Sequence, residues 1–122
     1  MKALMVFLGG GLGALTRYLL YLVLPKGTFL PYGTLFANFL GCFIATVVFT
    51  FFILKSDTES IYKILLITGF CGGLSTLSAL SLELMVFIQG GEYFRACFYI
   101  LISLLICVIS VILGLVLVKK YV

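Results

Sequence analysis

Histidine and tryptophan are both absent from this 122-residue chain, and only four residues are acidic. With no cluster of Asp or Glu and no imidazole, the ligands and proton carriers that most hydrolytic and metal centres need are missing. An enzyme is not expected. Charge of either sign is scarce, at 10% of residues against the roughly 25% usual in a soluble domain. The remainder is 64% apolar and the mean hydropathy is +1.35. So short a chain cannot hide that much apolar surface in a core of its own, so lipid must stand in for water. The four cysteines, Cys42, Cys71, Cys97 and Cys107, form no C-x-x-C pair and lack His or acidic partners. They read as small buried hydrophobes. The net charge of +4 comes from dispersed Lys and Arg that fall mostly at span ends, where headgroups account for them; no basic stripe suggests nucleic acid.

What is present is a succession of apolar runs. Residues 3–24 form the first, which is too long for the core of a signal peptide, carries Arg17, and stops at Pro25 in the turn-rich stretch PKGTFLP. Residues 33–54 carry no charge, and at the helical rise their length is about 33 Å, close to the ~30 Å of a hydrocarbon core. The polar stretch KSDTES turns the chain into a third run, 64–88, whose one acid is Glu83. After QGGE, residues 96–118 are again free of charge up to Lys119 and Lys120. The expectation is an all-α membrane protein of one domain, 1–122, with four spans and both termini on one side. Lys2, Lys55, Lys63, Lys119 and Lys120 lie on the terminal side, against Lys26 and Arg95 on the other. That bias predicts cytoplasmic termini. Arg17 sits about 10 Å inside the first span by helical rise, either snorkelling as an interface anchor or facing a vestibule.

Three patterns carry chemistry. Gly9 and Gly13 make a G-x-x-x-G spacing, a signal for close helix packing. GFCGGLSTLSALS at 69–81 crowds glycines and hydroxyls into mid-span. It predicts a broken helix whose freed carbonyls can hold a cation, unless the small residues merely pack a helix pair. Tyr99, Ser103, Cys107, Ser110 and Gly114 share one helical face, as do Thr34 and Asn38. Interhelical hydrogen bonding would explain either pair by itself; together they suggest a path lined by neutral donors, suited to a small anion or a neutral polar solute.

The motifs GGGLGALTRY at 9–18, GTLFANFLG at 33–41 and GFCGGLSTLSALSLE at 69–83, in this order, resemble the CrcB/Fluc fluoride channels over nearly the whole chain. The resemblance implies passive export of fluoride across a cell membrane of the bacterial inner-membrane type, lowering its toxicity. It also implies an antiparallel dual-topology dimer with two pores and a structural sodium ion at its centre. Carried over by residue, Asn38, Ser78, Tyr99 and Ser103 would line the anion's route, with Arg17 as a vestibule cation and Glu83 as a pore-associated acid. For Glu83 the plainer alternative is a partly wet acid near the span end. The carbonyls of Gly72 and Ser75 would hold the sodium. Two features depart from the family: Leu77 and Leu80 stand where phenylalanines are usual, and Cys107 stands where a hydroxyl is expected. With the charge bias, they suggest one half of a heterodimer paired with an oppositely oriented paralogue. Two other readings remain. One is a non-conducting structural subunit. The other is a small proton-coupled multidrug exporter, which has only Glu83 to work with.

Overall fold

A computed structural model describes residues 1–25, 29–55 and 60–121. Lys26 and residues 56–59 of the KSDTES turn therefore lie outside the described residues, and part of the charge count rests on them. Each apolar run is helical. Helix α1 spans Lys2–Val23 and α2 spans Tyr32–Leu54. The third span is composite: α3 (Ile61–Lys63), a π-helical segment (Ile64–Cys71), α4 (Gly72–Leu74) and α5 (Leu77–Gln89). Helix α6 runs from Tyr93 to Tyr121, about a turn longer at each end than the charge-free stretch, because Arg95 and Lys119 sit on helical turns that outlast the apolar core. Four helices are thus long and apolar enough to cross a membrane.

The break in the third span falls just beyond the glycines. Gly69, Gly72 and Gly73 remain helical, and the backbone leaves the helix at Ser75 (ψ 150°) and Thr76 (φ −151°, ψ 120°). The glycines are needed for packing instead. A Cβ on Gly69 would stand 2.9 Å from the Gly9 Cα, and one on Gly13 or Gly73 would overlap the carbonyl of Phe70 or of Gly10. The two four-residue glycine spacings cross each other, so α1 and the first half of the third span meet backbone to backbone. In lipid, where no hydrophobic force drives helices together, such contact supplies dispersion that larger side chains would forbid. Thr76 then caps α5, its Oγ1 accepting from the Ala79 amide at 3.2 Å.

Helix α2 lies between this glycine seam and α6, and α5 folds back onto α6. Gly91, at φ +73°, makes the reversal between α5 and α6, a left-handed conformation that a Cβ disfavours. Leu30, Leu35, Leu80, Phe87, Ala96 and Tyr99 form the small core where these elements converge. Outside it, side chains such as Phe7, Phe94 and Leu101 are exposed, as a lipid-facing surface requires. Only one cysteine, Cys71, is buried; Cys42 and Cys107 are half-buried, and Cys97 is exposed on the outer face of α6. The expectation of four buried thiols is thereby corrected: lipid accepts a thiol on an outward face as readily as the core does.

Candidate functional site

The stripes on α2 and α6 face each other. Thr34, Asn38, Tyr99, Ser103 and Ser110 are all buried although the chain buries few polar groups. Thr34 and Tyr99 meet on a shared acid, Thr46 packs against Gly114, and numbering rises together along both helices. The helices are therefore parallel, and residues repeating every four positions on each make successive levels between them.

At one end of the stripe stands Glu83, brought in by α5. Thr34 donates to its Oε1 at 2.7 Å, and Tyr99 donates to its Oε2 at 2.5 Å. Thr34 has a single proton and spends it on Glu83, so Tyr21 must be the donor in its 3.0 Å hydrogen bond with Thr34. Four side chains from four helices are thus tied into one directional string. Hydrogen bonds to a charged group contribute about 1.5–3 kcal/mol each, so this string is among the firmest polar contacts in the chain. Phe87 meets the Tyr99 ring edge-on, with centroids 5.8 Å apart. The Arg95 guanidinium lies 4.2 Å from the Phe87 centroid, donates to the Phe29 carbonyl and pairs with Glu92.

A cavity of about 510 Å³ opens beside this cluster, with Tyr21, Pro31, Glu83, Phe87 and Arg95 on its wall. A carboxylate and a guanidinium therefore share one mostly apolar recess. Arg17 does not line it; Arg17 is half-buried on α1.

Asn38 does something that spacing alone did not indicate. Its Oδ1 accepts from the Thr76 amide at 2.6 Å, and its Nδ2 donates to the Thr76 carbonyl at 3.2 Å. One carboxamide thus serves both main-chain groups of a residue that the helix has released, as a neighbouring strand would. Gly41, one turn along α2, leaves room for Ser75, since a Cβ there would lie 2.9 Å from the Ser75 Cβ. Among the described residues no buried side-chain polar atom lacks a partner.

The other expected residues are distributed as follows. Ser103 donates back to the Tyr99 carbonyl of its own helix at 2.6 Å, and Ser110 crosses to the Phe39 carbonyl at 2.6 Å. Ser78 is exposed and shares a 3.0 Å hydrogen bond with Thr76. The Thr76 amide goes to Asn38 rather than back to Gly72, so the helix break releases the Gly72 carbonyl, and the extended Ser75 is likewise outside any helix. These are hard oxygen donors, of the kind a sodium ion accepts, and Gly72 is exposed at the chain surface. Leu77 is 77% exposed whereas Leu80, at 9%, belongs to the core. Tyr21, Thr76, Phe87 and Arg95 were not singled out from sequence as part of the site. Tyr21 and Phe87 look like ordinary span residues, and Arg95 like a loop charge; only their convergence on Glu83 distinguishes them.

An all-helical, four-span membrane protein, with a polar seam between two parallel helices and an acid-bearing recess at its end, is the class these features define. The chain belongs to the family described as CrcB-like protein, Camphor Resistance (CrcB), whose model matches residues 4–115. Among similar proteins is the fluoride-specific ion channel FluC of Escherichia fergusonii, 40% identical over 84% of this chain and 81% of its own length. That of Pyrococcus abyssi is 37% identical over 96% and 95% of the two chains. That of Sulfurihydrogenibium sp. is 34% identical over 97% of each.

Proposed function

We propose that this chain is a fluoride channel that lets the anion leave the cytoplasm passively, and that it works as an antiparallel dimer in the cell membrane. The names of the relatives support fluoride as the solute. The observation that carries the reading is the hydroxyl string on Glu83, which stands where the recess meets the buried α2–α6 stripe. A small, strongly hydrated anion can leave water only where other protons replace its shell, and O–H and N–H groups do so without the trapping a ring of cations would cause. In the recess, Arg95 raises the local anion concentration. Further in, the Glu83 carboxylate holds the Thr34 and Tyr99 hydroxyls in one geometry and exchanges their protons with a passing fluoride, so Glu83 keeps that level ordered. Asn38 offers its remaining N–H at the next level and keeps the broken span in place. Ser103 and Ser78 place hydroxyls alongside whose protons can turn toward the ion.

The carbonyls of Gly72 and Ser75 would hold sodium, which would supply a fixed positive charge there. Leu77 is available to a second chain, whereas Leu80 is occupied within its own. Neither supplies an aromatic edge, and the five-to-two charge bias favours one insertion direction with cytoplasmic termini. Both points support a partner of opposite orientation. The test is fluoride efflux from vesicles holding the purified chain, followed with a fluoride electrode, with chloride as the control ion. Fluoride efflux well above that of empty vesicles, without chloride efflux, is expected. Absence of fluoride efflux both alone and with an oppositely oriented paralogue would overturn the reading.

A further inference from the structure

A second cavity, of about 270 Å³, opens at the end of the molecule away from Glu83, where Phe49 of α2 faces Lys63, Ile64, Ile67 and Thr68 of the third span. Phe49 lies within the last two turns of α2 and Lys63 ends the short α3, so the cavity sits at the rim of the apolar layer. The π-helical segment makes this grouping. Around an α-helix, residues five apart stand about 140° from each other, on different faces. From Ile64 to Cys71 the backbone hydrogen bonds join positions five apart instead, and this wider turn brings Thr68 round to the side of Lys63. The Lys63 ammonium rests 5.0 Å from the centre of the Phe49 ring, which positions it at the rim with N–H groups left to donate. Among the described residues it has no carboxylate partner, and the described acids, Glu83 and Glu92, belong to the other end. Thr68 is exposed, and its hydroxyl makes no hydrogen bond among the described residues. By contrast, Thr16, Thr46, Ser75 and Ser81 each donate to the carbonyl four positions earlier.

We propose that this cavity binds one anionic phospholipid, its phosphodiester on Lys63, an ester carbonyl accepting from Thr68, and an acyl chain along Phe49, Ile64 and Ile67. The groups are ordered as a lipid is: a cation at the rim, a hydroxyl donor about one turn deeper, then hydrocarbon. Basic pockets between spans take anionic headgroups because the phosphate supplies the charge that the lysine lacks. A zwitterionic lipid brings a cation of its own beside that phosphate and so gains less at Lys63. Free phosphate would leave the apolar wall and the Thr68 hydroxyl without a partner, and an unpaired hydroxyl in hydrocarbon is costly. This site does not depend on which solute the chain conducts.

The experiment uses the purified full chain in a neutral detergent, titrated with dioctanoyl phosphatidylglycerol and read by native mass spectrometry. One tightly held lipid per chain is expected, and dioctanoyl phosphatidylcholine should be held several-fold more weakly. Lys63→Gln should weaken phosphatidylglycerol by about fivefold, the effect of one lysine on an anionic headgroup. Thr68→Val, which keeps the volume and removes the hydroxyl, should weaken both lipids a few-fold. Lys120→Gln, at the same end but away from the cavity, should leave the first lipid unchanged. Equal retention of the two lipids by the unaltered chain, or equal losses in Lys63→Gln and Lys120→Gln, would overturn the site, since the attraction would then be unselective or spread over the surface. Displacement of the lipid by millimolar inorganic phosphate would overturn it too, by showing a site for the bare anion.

Discussion

Two seams hold this chain together, and they are built from opposite materials. Where α1 crosses the first half of the third span, Gly9, Gly13, Gly69 and Gly73 bring main chain against main chain, and side chains are excluded. Where α2 runs beside α6, hydroxyls and an amide line the interface, and side chains form the contact. The first seam has no group able to bind a solute and no room for one. The second has both, and it is tied to the first through a single residue, because Asn38 on α2 holds the Thr76 backbone at the end of the glycine-packed segment. A rigid, dry seam thus positions a polar one.

Breaking the dry seam should have the largest effect. Gly73→Val drives two methyl groups toward the Gly10 carbonyl and the Ala14 amide, backbone atoms that cannot rotate away. A loss of at least about 3 kcal/mol, the upper range for overpacking, is expected, visible as failure to elute as a monodisperse species. Wild-type elution and thermal stability would show that the seam is looser than described. Cutting the tie comes next. Asn38→Ala leaves the Thr76 amide and carbonyl without partners, at about 1–3 kcal/mol each, and should speed hydrogen exchange at Thr76 while flux disappears. Unchanged exchange there would separate the break from Asn38.

Within the polar seam, Glu83→Ala frees Thr34 and Tyr99 from a charged partner worth about 1.5–3 kcal/mol per hydrogen bond, so fluoride efflux should fall about tenfold or more. Glu83→Gln, which keeps an acceptor, should fall less; equal loss in both would assign the role to charge alone. The smallest effects concern the leucines. Leu80→Phe enlarges a core residue and should cost about 1–3 kcal/mol in thermal unfolding, whereas the exposed Leu77→Phe should stay within about 0.5 kcal/mol. A larger cost for Leu77→Phe in the single chain would place that side chain inside it.

Most of the architecture was legible because lipid imposes a simple rule: a span must be long and free of charge, and residues 33–54 and 96–118 satisfy it outright. The Tyr99–Ser110 stripe was legible for a similar reason, since one helical face repeats about every four residues. The helix break was recognisable but its position was not. Glycine lowers the cost of leaving a helix at Gly72, yet the approach of α1 makes these glycines more valuable inside it, so the chain departs at Ser75 and Thr76, where Asn38 can receive it. Glu83 stood out as an acid in a span, and Thr34 and Tyr99 as members of polar faces, but their meeting, with Tyr21 behind Thr34, is written on no single helix.

Composition and periodicity by themselves determined that this chain lives in lipid, crosses it with four helices and hides a polar face on the last of them. Those are properties of hydrocarbon and of helical repeat, and they act on each segment separately. Which groups share a proton and which backbone residue Asn38 repairs were decided only when the helices packed. A hydrogen bond needs its two atoms within about 3 Å, and for residues as far apart in sequence as Thr34 and Glu83 only the tertiary fold sets that distance.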